Sequence, residues 1–203
     1  MIDAARLHEA LPRWCAGLHR AAPELNELDG RLGDADLGAT LDKCATPVEE
    51  ALPEMPASLD GTFRRCAQAC AKASGSSFGT LLAVALMTAA KGSAGVERLE
   101  RAALVALLGD IVQTLSARGG ASLGDKTVLD GLEAIRQGID HAGGDASLQE
   151  SAEHAAQAAL DAFRERPNRV GRARMFAERT VGLDDPGMVA LLRMVQALRA
   201  PKA

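Results

Sequence analysis

Asp29-Gly30-Arg31-Leu32-Gly33-Asp34-Ala35-Asp36-Leu37-Gly38 threads three carboxylates through three glycines, between two apolar helical patterns. A helix brings only side chains three or four positions apart onto one face, and these aspartates lack that spacing, so we expect a loop to converge them. Three unpaired carboxylates repel one another, whereas Mg²⁺ accepts such oxygen ligands and keeps positions for water and phosphate. The stretch predicts a metal–phosphate site. For any single aspartate, a solvated turn with an Asp N-cap is the alternative.

Amphipathic helical patterns lie on both sides of this stretch. The first covers Ile2 to Ala22, with a kink expected at Pro12 and an end at Pro23, and the second runs from Leu37 to about Leu52. Six further patterns cover Leu59 to Ala73, Phe78 to Lys91, Val96 to Arg118, Thr127 to Ile139, Leu148 to Arg166, and Pro186 to Leu198. Pro167 to Thr180 is ambiguous, and no strand pair is indicated. The sequence predicts one all-α domain over residues 1–203, in which short connections make neighbouring helices antiparallel.

Glycine and acidic residues recur at the breaks between these helices. Besides the opening stretch, they occupy Ser74 to Gly79, Gly124 to Thr127, Gly171-Arg172, and Asp184 to Gly187. In an up–down bundle alternate breaks lie at the same end, so we expect these segments to surround one mouth. Helix N-termini at such a mouth favour anions such as phosphate, although ordinary capping by serine or threonine explains each segment taken alone.

Composition excludes several classes of function. The formal net charge is −4, and no basic run or aromatic platform suggests nucleic-acid binding. No apolar run approaches the length of a membrane span, and no secretory signal is evident, so we expect a cytoplasmic protein. The four cysteines lack a second ligand pair for zinc and are interpreted as reduced and buried. The four histidines are scattered, without metal-ligand spacing.

With these motifs in order, the chain resembles the L subunit, or nucleotide-binding domain, of dihydroxyacetone kinases over nearly its whole length. The resemblance rests on Leu25 to Asp29, Gly33 to Gly38, Ala73-Ser74-Gly75 with Phe78-Gly79, Gly124 to Thr127, Gly171 to Ala173, and Asp184 to Gly187. It implies an eight-helix antiparallel up–down barrel that binds ADP or ATP at one end. It further implies two Mg²⁺ ions, bridging nucleotide phosphates to Asp29, Asp34 and Asp36.

The resemblance also implies the remaining nucleotide contacts. It places two groups of residues near the phosphates. The first, at the start of the second helix, is Leu37, Gly38, Ala39 and Thr40, and the second, from another break, is Ala73 and Ser74. Gly124 and Val128 would border the adenine or ribose, and Arg172, Asp185, Pro186 and Gly187 would close the pocket. Family members often carry His, Cys or Thr at the position of Leu37, which offers no hydrogen-bond donor to a phosphate.

The function implied by the resemblance is half of an enzyme. A separate K subunit would hold the ketose, dihydroxyacetone by default, through a histidine of its own. The phosphodonor is either ATP or a phosphotransferase-system protein that rephosphorylates resident ADP, and the oligomeric state is open, a homodimer included. The alternatives are a metal-dependent phosphohydrolase and a non-catalytic nucleotide-binding regulatory module.

Overall fold

This computed structural model describes residues 1–73, 75–144 and 146–200, and of Ala177 it describes the backbone alone. Eight α-helices make up most of this part of the chain. They are α1 Ala4–Leu32, α2 Leu37–Ala51, α3 Leu59–Ala73, α4 Ser77–Gly92, α5 Arg101–Gly119, α6 Val128–His141, α7 Leu148–Phe163 and α8 Pro186–Ala197. Each helix packs on its neighbours in the chain, and α8 returns to pack on α1. The helices therefore close into a ring, which confirms the all-α prediction.

Two short 3₁₀ helices and one small strand pair complete the fold. The 3₁₀ helices are Leu52–Glu54 and Ala173–Thr180, the second lying in the segment that the sequence left ambiguous. Strands β1 Ile2–Asp3 and β2 Arg98–Leu99 pair antiparallel. The prediction of no strand pair was therefore wrong, because two residues are too few to show an alternating pattern.

Helix α1 continues past Pro23, where the sequence predicted its end, and reaches Leu32. An interior proline costs roughly 3 kcal/mol because it removes a hydrogen bond and crowds the preceding turn. Beyond it, Leu25 and Leu32 are almost completely buried, and each buried leucine contributes about 1.5–3 kcal/mol. Tertiary packing therefore outweighs the proline, and Asp29 lies on the last turn of a helix rather than in a loop.

The interior of the ring is a continuous apolar core. The larger cluster joins α1, α2, α3, α4, α6, α7 and α8, and a smaller one lies mainly between α4, α5 and α6. All four cysteines are free and buried in this structure, as predicted. In the described chain, no helix combines the length and apolar character needed to cross a membrane.

Helix α2 begins in close contact with α1. A Cβ added to Gly38 would lie 1.9 Å from the carbonyl oxygen of Ala22, which belongs to the backbone of α1. Gly38 is therefore required by close helix packing, because backbone atoms cannot move aside as the end of a side chain can.

We expect Gly38→Ala to destabilise the protein by about 3 kcal/mol, which lowers the melting temperature of a domain of this size by roughly 6–12 °C. The matched control is Gly109→Ala within α5, where the nearest atom to the new Cβ is Arg136 Cδ at 3.6 Å. The control should be neutral or stabilised by up to about 1 kcal/mol through helix propensity. Calorimetric melting of both variants tests this, and equal melting temperatures would contradict the packing argument.

Candidate functional site

A cavity of about 1180 Å³ opens at one end of the ring, where the segments preceding α2, α4, α6 and α8 meet. The predicted single mouth is therefore present. The predicted site residues that line it are Asp29, Asp34, Asp36, Leu37, Thr40, Ala73, Val128, Arg172, Asp185, Pro186 and Gly187. Gly38, Ala39 and Gly124 do not line it, and Ser74 lies outside the described residues.

The three aspartates converge at the start of α2. One carboxylate oxygen from each of Asp29, Asp34 and Asp36 lies within 4.8 Å of the other two. Asp29 projects from the last turn of α1, while Asp34 and Asp36 come from the short connection to α2. Oxygen donors alone, held this closely and partly open to solvent, have the chemistry that a hard divalent cation requires.

Backbone contacts hold this carboxylate cluster in place. Asp29 Oδ2 accepts hydrogen bonds from the amides of Asp36 (2.9 Å) and Leu37 (3.3 Å), so α1 caps the N-terminus of α2. A Cβ at Gly33 would lie 2.4 Å from Asp29 Oδ1, so a larger residue there would displace the carboxylate that caps α2. Ala35, between the other two aspartates, has a left-handed φ of 61°.

One cation reaches the cluster from the far side of the cavity. Arg172 forms an ion pair with Asp34, with both side chains largely exposed. An exposed pair of this kind contributes little stability, typically below about 1 kcal/mol. Its importance lies in position, because the guanidinium places positive charge among carboxylates that would otherwise repel one another.

Three helix N-termini form much of the rest of the mouth. The N-termini of α4, α6 and α8 open towards the cavity, and their caps are Ser76, Thr127 and Asp185. Backbone amides and helix dipoles at such ends attract phosphate. At α2 the amide of Ala39 already donates to Asn26 Oδ1 at 3.0 Å, and the side chain of Leu37 is buried in the core.

Three further cations line the cavity and were not found from the sequence: Lys43, Arg118 and Arg174. They come from α2, α5 and the 3₁₀ helix before α8, and across the described chain no carboxylate forms an ion pair with any of them. An exposed basic residue on a helix gives no sequence signal of the cavity it faces. Apolar side chains supply another wall, formed by Phe78, Leu81, Leu115, Val128 and Leu129.

The turn before α6 is built differently from the rest of the mouth. Thr127 caps α6, and Gly124 donates its amide to Asp130. Between them, Lys126 turns away from the cavity and is only 1% exposed.

Asp185, at the start of α8, accepts hydrogen bonds from the amide of Met188 and the side chain of Asn168. Desolvation nevertheless raises the pKa of its carboxyl group to about 6.

Fold and cavity together define an all-α domain with an acidic, anion-facing mouth at one end of a helical ring. The family model of the DAK2 domain matches residues 31–200, and the chain belongs to this family. It is 30% identical over 184 residues to the PEP-dependent dihydroxyacetone kinase, ADP-binding subunit DhaL, of Escherichia coli K12, covering 86% of this chain and 85% of that subunit.

Other relatives are longer kinases. The chain is 32% identical to D-erythrulose kinase of Mycolicibacterium smegmatis and 29% identical to triokinase/FMN cyclase of Homo sapiens, with 90% and 95% of this chain matched. It spans only 33% and 34% of the lengths of those two proteins.

Solved structures show the same fold. The dihydroxyacetone kinase of C. freundii in its native form matches 98% of this chain and 34% of that one, with a TM-score of 0.75 and 23% identity. The same kinase in complex with AMP-PNP and Mg²⁺ matches 96% of this chain and 33% of that one, with a TM-score of 0.74 and 24% identity.

Ala35→Gly should stabilise the protein by about 1 kcal/mol, because a left-handed conformation costs an alanine roughly 1–2 kcal/mol and glycine far less. Ala35 is exposed, so little packing is lost with its methyl group. Ala39→Gly, on the first turn of α2, is the matched control and should lose about 0.5–1 kcal/mol. Urea unfolding in EDTA measures both changes, and destabilisation of equal size in the two variants would contradict the strain at Ala35.

Proposed function

We propose that this chain is the nucleotide- and Mg²⁺-binding component of a dihydroxyacetone-type kinase, which passes a phosphoryl group to a ketose held by a separate K-type subunit. The observation that carries the proposal is the carboxylate cluster at the edge of a large cavity faced by helix N-termini. Similarity to the E. coli ADP-binding subunit along most of both chains supports the same assignment.

In this proposal the phosphates and the base of a nucleoside diphosphate or triphosphate contact different sides of the cavity. Asp29, Asp34 and Asp36 hold the metal, two Mg²⁺ ions by family resemblance, which neutralises phosphate charge when bound. The phosphates lie towards the N-termini of α2 and α4, and Arg172 approaches them from across the mouth. The base rests on the apolar wall near Val128, and Asp185 to Gly187 close the pocket.

The residues of this chain position groups rather than form bonds. Phosphoryl transfer depends mainly on alignment and on stabilising charge, which charged side chains and helix N-termini can supply. No histidine is among the described residues that line the cavity, so none there is available to capture a ketose carbonyl. This supports the assignment of ketose binding to a partner subunit.

Two phosphodonors fit this site. ATP could be used directly, or resident ADP could be rephosphorylated by a phosphotransferase-system protein. The second is favoured by similarity to the E. coli subunit, which belongs to a PEP-dependent kinase and which this chain matches across 85% of its length. Mass spectrometry of the nucleotide that co-purifies, followed by phosphorylation assays with each donor, distinguishes the two.

Asp36→Asn should abolish Mg²⁺-dependent ADP binding, because the cluster loses one of its three anionic ligands. The apo fold should be as stable or more stable, since repulsion among the remaining carboxylates falls. Asp110→Asn, which alters an exposed carboxylate outside the cavity, is the control and should bind normally. Calorimetric titration with ADP and Mg²⁺, beside far-ultraviolet circular dichroism, measures both properties.

Thermal melting adds an independent readout for the same cluster. At a hundred times its Kd, Mg·ADP should stabilise the unaltered chain by about 2.7 kcal/mol, or several degrees. ADP in EDTA should give little shift. An equal shift with and without Mg²⁺, or normal binding by Asp36→Asn, would refute the metal assignment.

The chain by itself should give negligible dihydroxyacetone phosphorylation, and activity should appear when a K subunit is added. Transfer requires the acceptor oxygen to be held in line with the phosphoryl group, and no histidine among the described residues of the cavity could hold a ketose there. A coupled assay for dihydroxyacetone phosphate, with and without the K subunit, tests this.

Product formation, ATP hydrolysis and nucleotide binding, measured together, distinguish the split enzyme from its alternatives. Product from the chain alone refutes the split-enzyme proposal. Sustained ATP hydrolysis that a K subunit neither redirects nor accelerates identifies a phosphohydrolase. Tight Mg·ADP binding without transfer to any acceptor identifies a regulatory module.

A further inference from the structure

Lys126 is a buried cation, and across residues 1–73, 75–144 and 146–200 no carboxylate forms an ion pair with its ammonium group. It adopts a left-handed φ of 61° in the turn before α6 and is 1% exposed. Its Nζ donates to three backbone carbonyls, those of Arg164 at 3.0 Å, Arg166 at 2.8 Å and Thr180 at 2.9 Å. An ammonium has three N–H donors, so all of them are used.

Those three carbonyls belong to the two ends of one irregular segment. Arg164 and Arg166 directly follow α7, and Thr180 ends the 3₁₀ helix that leads towards α8. Lys126 therefore joins the beginning and end of the α7–α8 connection, residues 164–185. Most of this connection lacks regular secondary structure, so side chains must satisfy many of the backbone groups that it buries.

A second buried side chain extends the same attachment. Asn168 donates from Nδ2 to the carbonyl of Lys126 at 3.0 Å and to Asp185 Oδ2 at 2.7 Å. The amide of Arg169 donates to the carbonyl of Asp125 at 3.2 Å. The turn before α6 thus holds both the start of the connection and the residue that caps α8.

The middle of the connection reaches the cavity although its base does not. Residues 170–175 line the cavity, and among them Arg172 pairs with Asp34. Asp185, Pro186 and Gly187 line it from the other end of the connection, whereas Lys126 is absent from the lining. Lys126 consequently lies behind the residues that would meet a ligand.

We propose that Lys126 is a positioning residue for the candidate nucleotide site, whose ammonium closes the base of the α7–α8 connection and thereby holds Arg172 and Asp185 against the cavity. This inference rests on the proposed function, because it assigns the ligand of that cavity as a nucleotide. Replacing the ammonium with an apolar group removes one donor from each of the three carbonyls. Those of Arg164 and Thr180 still accept from the amides of Gly182 and Leu183, but the link between the two ends of the connection is lost, so its base opens locally.

The site should respond unequally to that change. The ligands of the carboxylate cluster come from α1 and residues 33–36, not from the connection, so all three remain. Release of Arg172 from Asp34 removes a competing cation, so affinity for a metal alone should not fall. Nucleotide binding also needs the connection in place. If the competent arrangement falls to a tenth of the population, the apparent affinity falls about tenfold.

The experiment compares the full-length chain with Lys126→Met and with Leu160→Ala, a core variant in α7 that lowers global stability without touching the ammonium. Mn²⁺ alone is titrated by electron paramagnetic resonance, Mg·ADP by calorimetry, and hydrogen exchange is followed by mass spectrometry over residues 164–182. Titrations are made well below the melting temperature of each variant.

Lys126→Met should weaken Mg·ADP binding by at least about tenfold, weaken Mn²⁺ binding by no more than about twofold, and accelerate exchange in residues 164–182. Leu160→Ala should retain both affinities. If Lys126→Met does not fold, Asn168→Ala removes the second attachment and should give the same pattern with a smaller loss of nucleotide affinity.

Other results overturn the inference in separate ways. Unchanged Mg·ADP affinity in Lys126→Met overturns the positioning role alone. Equal losses of Mn²⁺ and Mg·ADP affinity, or a matching loss in Leu160→Ala, reduce Lys126 to a contribution to global stability. Failure of the unaltered chain to bind Mg·ADP overturns the proposed function, and the positioning role with it.

Discussion

The close crossing of α1 and α2 is the constraint on which the mouth of this protein depends. Gly38 lets the first turn of α2 lie against the carbonyl of Ala22, at a distance that no side chain permits. At this separation Asn26 and Asp29, one helical turn apart on α1, reach the first amides of α2. The cap of one helix and the acidic cluster of the cavity are therefore built from the same carboxylate.

Charge is arranged around the cavity in two opposing parts. The carboxylate cluster forms an acidic edge, relieved by a single guanidinium from Arg172. Helix N-termini and the side chains of Lys43, Arg118 and Arg174 present positive potential to the same space. A ligand that combines a divalent cation with several phosphates would satisfy both parts, whereas a simple anion or a simple cation would satisfy only one.

Irregular backbone at the mouth is held by polar groups, while the ring is held by its apolar core. The α7–α8 connection carries Arg172 and leads into Asp185, so residues that face the cavity lie on the least regular part of the described chain. A buried lysine and a buried asparagine attach it to the turn before α6. Such attachments orient side chains in a way that non-directional apolar packing does not.

The sequence by itself determined the helices, the all-α class and the acidic stretch, because helical periodicity and capping are local properties of the chain. It placed the start of α2 at Leu37 and the span of α3 correctly. Because alternate breaks lie at the same end of a bundle, it also predicted that the five glycine- and acid-rich segments meet at one mouth. Only the tertiary structure decided that α1 passes Pro23, because the deciding term is the burial of Leu25 and Leu32 against other helices. It also decided that Gly38 serves helix packing, that Lys126 turns inward, and that Lys43, Arg118 and Arg174 face the cavity. These outcomes depend on contacts between residues far apart in the chain, and local sequence patterns carry no information about such contacts.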